Sequence, residues 1–231
     1  MHATVVVFPG INADAEMVRT LRDVCGVTTE VVRHTATGLP RATDLVAIPG
    51  GFSYGDYLRC GAIAKVAPII PAIAAHAARG GYLLGVCNGF QILTEAGLLP
   101  GALTRNEKMH FRCHDVFVKV TAQGPFSPSV GDLWRMPIAH GEGRYQASAQ
   151  VLADLEKNDL IALRYATKSG EITPESNPNG SASNIAGIYG GPRKNILGLM
   201  PHPERMSDAL LGGDDGRRLF DAVIAHVRAA A

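Results

Sequence analysis

Gly81-Tyr82-Leu83-Leu84-Gly85-Val86-Cys87-Asn88-Gly89-Phe90-Gln91-Ile92-Leu93 is the stretch that decides the fold. Its first half is an apolar run with the character of a buried strand. Its second half opens a helix at Asn88. A strand that turns into a helix at one residue, with glycine two positions to either side, has the layout of a nucleophile elbow, here with cysteine in place of serine. The glycines have a steric reason: a Cβ at either flank would meet the neighbouring strand or helix. A helix starting at Asn88 offers unpaired backbone N–H groups to the sulfur, and its positive end favours thiolate over thiol. Cys87 is therefore the expected nucleophile in an attack on an acyl carbon.

Outward from the elbow, strands and helices alternate. Residues 5–8 read as a strand ended by Pro9-Gly10, and residues 13–24 as a helix with Met17, Leu21 and Val24 on one face. Strands follow at 28–32 and 45–48, the second stopped by Pro49-Gly50-Gly51. A helix interrupted near Pro68 and Pro71 covers 63–79. This alternation predicts an α/β fold, a mostly parallel open sheet with helices on both faces. Active residues then belong at the carboxyl ends of strands, where Gly50-Gly51 and Cys87 both fall. Short alternating strands at 116–120 and 161–166 predict antiparallel additions to the sheet, with loops at 124–128 and 177–181. A late strand at 196–200 ends at Pro201. A closing helix at 217–228 buries Leu219, Val223, Ile224 and Val227. Nothing marks a linker or a repeat, so residues 1–231 read as a single domain.

The chain has 231 residues, 46% hydrophobic and 19% charged, with a formal net charge of +1. That balance offers no basic stripe for nucleic acid and no acidic arm. Cys25, Cys60, Cys87 and Cys113 are widely spaced, with no C-x-x-C pair, and do not form a disulfide framework. The longest apolar stretch, residues 63–78, is too interrupted to span a bilayer. The first residues show no charged leader, and the expected compartment is the reducing cytoplasm.

A thiolate nucleophile needs a base and a group that orients the base. Met200-Pro201-His202-Pro203-Glu204-Arg205 follows a strand, and in extended backbone His202 and Glu204 point the same way. His202 would take the thiol proton and later give it to departing ammonia, with Glu204 fixing its tautomer. The tetrahedral oxyanion needs two backbone donors, expected from Asn88 and Gly51. An ordinary surface His-Glu pair and an ordinary Pro-Gly-Gly turn are the alternatives for these segments taken singly. His110, Cys113 and His114 suit no common zinc spacing, so no metal is expected. Asp14 and Glu16 read as caps of the first helix. Cys25 and Cys60 read as inert packing residues.

With the elbow and the H-x-E pair in hand, the chain resembles the class I, triad-type glutamine amidotransferases, whose fold is flavodoxin-like. More narrowly, it resembles the glutaminase subunits of phosphoribosylformylglycinamidine synthase. Ala139-His140-Gly141-Glu142-Gly143-Arg144-Tyr145 also carries the resemblance, and the strings that narrow it are Gly51-Phe52-Ser53-Tyr54-Gly55-Asp56 and Asn177-Pro178-Asn179-Gly180-Ser181. The resemblance implies hydrolysis of glutamine through a thioester on Cys87. The ammonia passes to a large ATP-using synthetase subunit, with a small accessory subunit in the same complex, in de novo purine biosynthesis. It implies no cofactor in this chain, ATP and Mg belonging to the synthetase; no phosphate-binding G-x-x-x-x-G-K-[ST] loop is present. By position in the family pattern, Gln91 faces the pocket and binds glutamine, with Asn106 and the backbone of His140 and Gly141 as further contacts. Phe111 and Cys113 approach the pocket, and Asp56 and Arg59 belong to the synthetase interface. A glutaminase for another synthetase, a cysteine-elbow peptidase-like or redox-sensing relative, and a non-catalytic module are the competing readings.

Overall fold

The computed structural model describes residues 1–127 and 129–230. Pro128, at the end of the loop expected at 124–128, lies outside them. The first half of the chain runs β1 (His2–Val7), α1 (Asp14–Arg19), β2 (Thr28–Arg33), β3 (Leu45–Ile48), α2 (Ile70–Ala78), β4 (Tyr82–Val86) and α3 (Asn88–Glu95). It continues through β5 (Ala102–Thr104), β6 (Arg112–Val120), β7 (Leu133–His140), β8 (Arg144–Gln146), α4 (Ala149–Lys157) and β9 (Ile161–Ala166). β10 (Ile185–Gly190), β11 (Ile196–Leu199) and α5 (Arg217–Ala230) close it.

Nine strands form the main sheet in the order β2-β1-β3-β4-β11-β10-β9-β6-β7. The strands from β2 to β11 pair in parallel, and those from β11 to β7 pair antiparallel. β5 and β8 make a separate antiparallel pair. Every residue of β3 and β11 is buried. Successive side chains point to opposite faces, so both faces of the parallel half are covered, which is why these strands read as unbroken apolar runs. In β7 the burial alternates instead, Trp134, Met136, Ile138 and His140 facing inward. β7 is an edge strand, and that position tolerates Pro137.

The expected helix at 13–24 is α1 continued by a π-helical turn, Thr20–Val24. Its N-cap, Ala13, receives no side-chain hydrogen bond, so Asp14 and Glu16 lie in the first turn and do not cap it. Residues 63–79 resolve into a 3-10 turn, Ala64–Val66, and then α2. Among the described residues no helix is long and apolar enough to cross a membrane.

The core is arranged to bring α3 down onto the sheet. Gly85 on β4 and Gly198 on β11 are register partners. A Cβ on Gly198 would run into the Phe90 ring, and one on Gly89 would overlap the Ile48 carbonyl oxygen. A Cβ on Gly85 would lie 2.6 Å from Leu93 Cδ1 and 2.8 Å from the Gly89 carbonyl carbon. Bare α-carbons on both sides of this joint let the helix sit against the strands that feed it. Residues Asn88–Thr94 of α3 are all buried as a result.

Candidate active site

Cys87 occupies the joint between β4 and α3 with φ 52 and ψ −106. Left-handed backbone at a residue with a Cβ costs about 1–3 kcal/mol and persists where its surroundings enforce it. The glycine frame is that enforcement. The thiol is buried and donates a long hydrogen bond to the Ala139 carbonyl at 3.7 Å.

His202 follows β11, the strand beside β4. Its N–H donates to the Pro137 carbonyl at 2.8 Å, which docks this segment on the middle of β7. His202 itself is extended, with φ −102 and ψ 91. The extension stops there: Pro203 starts a 3-10 turn, Pro203–Met206. The expectation of an extended H-x-E is corrected to a histidine capping a one-turn helix. Pro fits that first position because its fixed φ suits the turn and no N–H is lost. Thr20 Oγ1 and Ser207 Oγ both donate to the Glu204 carbonyl, at 3.2 and 3.1 Å, and hold the turn.

The His202 and Glu204 side chains are nevertheless brought together. Nδ1 donates to Glu204 Oε1 at 2.6 Å, with both residues fully enclosed. Burial alone would push the imidazole down, but the negative charges of Glu204 and of the Cys87 sulfur outweigh it and hold the ring up at about 10. Nε2 makes no hydrogen bond within the described residues. Gly50 packs against both partners: a Cβ there would lie 2.6 Å from His202 Cε1 and 3.3 Å from Cys87 Cβ. Imidazole and nucleophile thus flank one bare α-carbon.

Gly51 has φ +151, and a Cβ on it would lie 2.5 Å from Ile11 Cα and 2.7 Å from Asn12 N. Only glycine permits this approach of loop 51–56 to the loop after β1. A cavity of about 200 Å³ lies between these parts, lined by Asn12, Gly51, Phe52, Cys87, Phe111, Ala139, His202 and Arg205. A larger hollow, about 720 Å³, lies elsewhere, among Gly124, Arg193, Lys194 and His226, and contains none of the triad.

The residues expected to bind glutamine stand one layer behind this cavity. Gln91 does not line it. Its amide accepts from Asn88 Nδ2 at 2.8 Å and donates to the Glu142 carbonyl at 2.6 Å. Asn106 Nδ2 donates to the carbonyls of His110 and His140, at 2.8 and 2.9 Å, and Oδ1 accepts from Gly143 N and from His140 Nδ1. The Gly141 carbonyl is taken by Asn106 N at 2.9 Å. The backbone carbonyls of His140 and Gly141 are therefore engaged within the protein, and all four residues build the wall formed by residues 139–143. Burial, reinforced by the charge of His202, drives His140 down to about 3 and keeps its ring neutral.

Asn179 and Ser181 brace the same wall: Asn179 Nδ2 donates to the Gly143 carbonyl at 2.8 Å, and Tyr145 N donates to Ser181 Oγ at 3.0 Å. Asp56 and Arg59 are engaged locally, Asp56 with Asn88 and Arg59 with Glu95. Burial and the neighbouring Asp56 and Glu142 push the Cys60 thiol far up. Burial likewise lifts Cys25 to about 11. Among the described residues no group of three or more His, Cys, Asp or Glu is placed to hold a metal ion.

Asn12, Phe52, Ala139 and Arg205 are cavity residues that sequence reasoning gave no role. Phe52, Ala139 and Arg205 lie inside the motifs that carry the resemblance. Asn12 follows a Pro-Gly turn at a strand's carboxyl end, and the topological rule applied to Gly50 would have found it.

The profile of the CobB/CobQ-like glutamine amidotransferase domain matches residues 1–212. Phosphoribosylformylglycinamidine synthase subunit PurQ of Rhodopseudomonas palustris (strain BisB18) is 49% identical over 234 residues, covering 100% of both chains. The same subunit of Gloeobacter violaceus is 50% identical over 232 residues, covering 99% of each. A chain in the structure of PurLQS from Thermotoga maritima is 39% identical, with a TM-score of 0.84 over 98% of both chains. The glutaminase domain of Trypanosoma brucei CTPS with bound acivicin shares the fold, at 15% identity and a TM-score of 0.56, covering 97% of this chain and 94% of that one. With its elbow cysteine, buried imidazole–carboxylate pair and mixed nine-stranded sheet, the chain belongs to the family of CobB/CobQ-like glutamine amidotransferase domains.

Proposed function

We propose that this chain is the glutaminase subunit of a phosphoribosylformylglycinamidine synthase. It hydrolyses glutamine to glutamate and ammonia and supplies the ammonia to an ATP-dependent synthetase subunit. The observation that carries the chemistry is the packing of Cys87 and His202 against Gly50, with Glu204 Oε1 2.6 Å behind the ring. The destination of the ammonia follows from relatives of full length that bear the synthase's name.

Before the attack, His202, held well above its ordinary value, carries on Nε2 the proton taken from the Cys87 thiol, and Glu204 stabilises this imidazolium. The thiolate sulfur attacks the side-chain carbonyl carbon of glutamine, and the carbonyl electron pair becomes an oxyanion. Backbone N–H groups of Gly51 and Asn88 receive that charge. As the tetrahedral centre collapses, the C–N bond breaks and His202 gives its proton to the departing nitrogen, releasing ammonia and leaving a thioester. Water, deprotonated by His202, then attacks the thioester and releases glutamate and the thiol. Gln91, Asn106, His140 and Gly141 contribute by fixing the wall of residues 139–143 around the amino-acid end of the substrate.

The chain's partners are a large ATP-using subunit and a small accessory subunit. The structure of PurLQS from Thermotoga maritima, which holds a chain 39% identical to this one, supports that assembly. ATP and Mg belong to the synthetase, and the location is cytoplasmic. The test is glutamine turnover by the chain assembled with its synthetase, beside a Cys87→Ser variant. The reading requires turnover in the first and its loss in the second, with a glutamine-like chloroketone labelling Cys87. Turnover that survives Cys87→Ser overturns it.

A further inference from the structure

Asn88 is completely buried, and its side-chain amide ties its own helix α3 to the loop 51–56. Oδ1 accepts from Ser53 N at 3.0 Å; Nδ2 donates to Asp56 Oδ1 at 3.2 Å and to Gln91 Oε1 at 2.8 Å. Gln91 Nε2 extends the relay to the Glu142 carbonyl at 2.6 Å. The ends of the relay fix its direction. A backbone N–H only donates and a backbone carbonyl only accepts, so each amide has one orientation and Asp56 is the acceptor.

The segment held in this way is the continuation of Gly51. It is an unfavourable piece of backbone: Tyr54 and Asp56 have φ 54, and Leu58 has φ 71. Residues with a Cβ hold such angles only where the surroundings over-determine them. The outer side of the loop is pinned to the turn after β1, with Phe52 N on the Gly10 carbonyl at 2.9 Å and Tyr54 N on the Pro9 carbonyl at 2.6 Å. Tyr54 Oη and His34 Nδ1 share a further hydrogen bond of 2.8 Å. The inner side meets the helix of the nucleophile through Asn88.

An oxyanion requires two donors at about 2.7–3.1 Å from one point. Here the two donors belong to different elements, Gly51 to the loop and Asn88 to the helix. We propose that the Asn88 side chain is a positioning residue: through Ser53 N and Asp56 it sets the height of loop 51–56 against the elbow, so that both donors converge on the same oxygen. The residue that contributes one donor thus also struts the loop that contributes the other. This inference rests on the glutaminase reading.

The test exchanges the two ends of the strut. Asn88→Asp keeps the backbone donor and an acceptor for Ser53 N, but sets a carboxylate against Asp56. Adding Asp56→Asn restores a donor, running in the opposite direction. Glutamine hydrolysis is measured on the chain assembled with its synthetase, together with the rate at which iodoacetamide alkylates Cys87. N88D is expected to lose about a hundredfold in kcat, the effect of a displacement of about 1 Å at a reacting centre. KM and the alkylation rate should change little, and N88D/D56N should recover most of the lost kcat.

A merely structural role would slow alkylation and raise KM together, with no recovery in the double variant. That pattern, or an N88D variant as fast as wild type, overturns the inference. Should N88D fail to fold, Asp56→Ala removes the acceptor without adding charge. A fall in kcat at unchanged alkylation then supports the strut, and unchanged kcat overturns it. A wild-type complex without glutamine turnover removes the glutaminase reading and this inference with it, whereas a fully active N88D removes this inference alone.

Discussion

His202 Nδ1 donates to Glu204 Oε1 at 2.6 Å inside a fully enclosed pocket. That contact fixes the orientation of the ring and leaves Nε2 free of Glu204. Glu204→Gln keeps the size of the side chain but removes the charge and permits the wrong tautomer. A loss of kcat of about 10³–10⁴-fold is expected, as when the aspartate of a serine triad is made an amide. Steady-state glutamine hydrolysis in the assembled complex measures it.

The same pair makes stability depend on pH. The His202 ring is held at about 10, above its ordinary 6.5, because Glu204 and the Cys87 sulfur outweigh burial. A group raised on folding stabilises fully below its unfolded value and loses that contribution as pH rises through its folded value. The stability difference between wild type and Glu204→Gln is therefore largest below pH 6.5 and shrinks as pH approaches 10. Urea midpoints of the two proteins across that range measure it; a difference that widens with pH contradicts the assignment.

Gly50→Ala is a steric probe of the same centre. Its Cβ would sit 2.6 Å from His202 Cε1 and 3.3 Å from Cys87 Cβ, so the ring must move. Stability should fall by about 1–3 kcal/mol through overpacking. Activity should fall more than stability explains, by about a hundredfold in kcat, because a displacement of about 1 Å in the reacting groups is costly. Thermal unfolding and turnover on the same preparation separate the two effects.

Phe111 is 54% exposed yet lines the cavity with Cys87. Phe111→Ala should leave stability within about 0.5 kcal/mol, as for most surface changes. Losing apolar cover over the bound substrate, at about 1 kcal/mol, should raise KM for glutamine roughly fivefold. A change in kcat at constant KM would contradict this placement.

The elbow was legible because its constraints are local. The glycines at 85 and 89, the cysteine and the helix start all lie within a few residues, and sterics alone dictates them. The parallel strands were legible for a similar reason, since two covered faces leave an unbroken apolar run. β7 was not, because Arg135 and Pro137 interrupt it and only its edge position admits them. The pocket role of Gln91 is what the family resemblance implies. Its amide donates to the Glu142 carbonyl, 51 residues away in sequence, a partner that no local pattern displays. Arg205 and Asn12 share a cavity wall only because β1 and β11 carry their ends to one rim.

The register of β4 on β11, with Leu199 opposite Val86, sets the elbow cysteine and the start of the His202 segment at the ends of neighbouring strands, about 4.8 Å apart. The hundred or so intervening residues leave this seam after α3 and return to it at β11, and within them Pro137 and Ala139 of β7 reach back to it, accepting from His202 N and from the Cys87 thiol. Loops within the excursion are thus freer to diverge than β7, and a graft of a distant relative's antiparallel half would keep nucleophile and base in step only where its edge strand supplies the same two carbonyls.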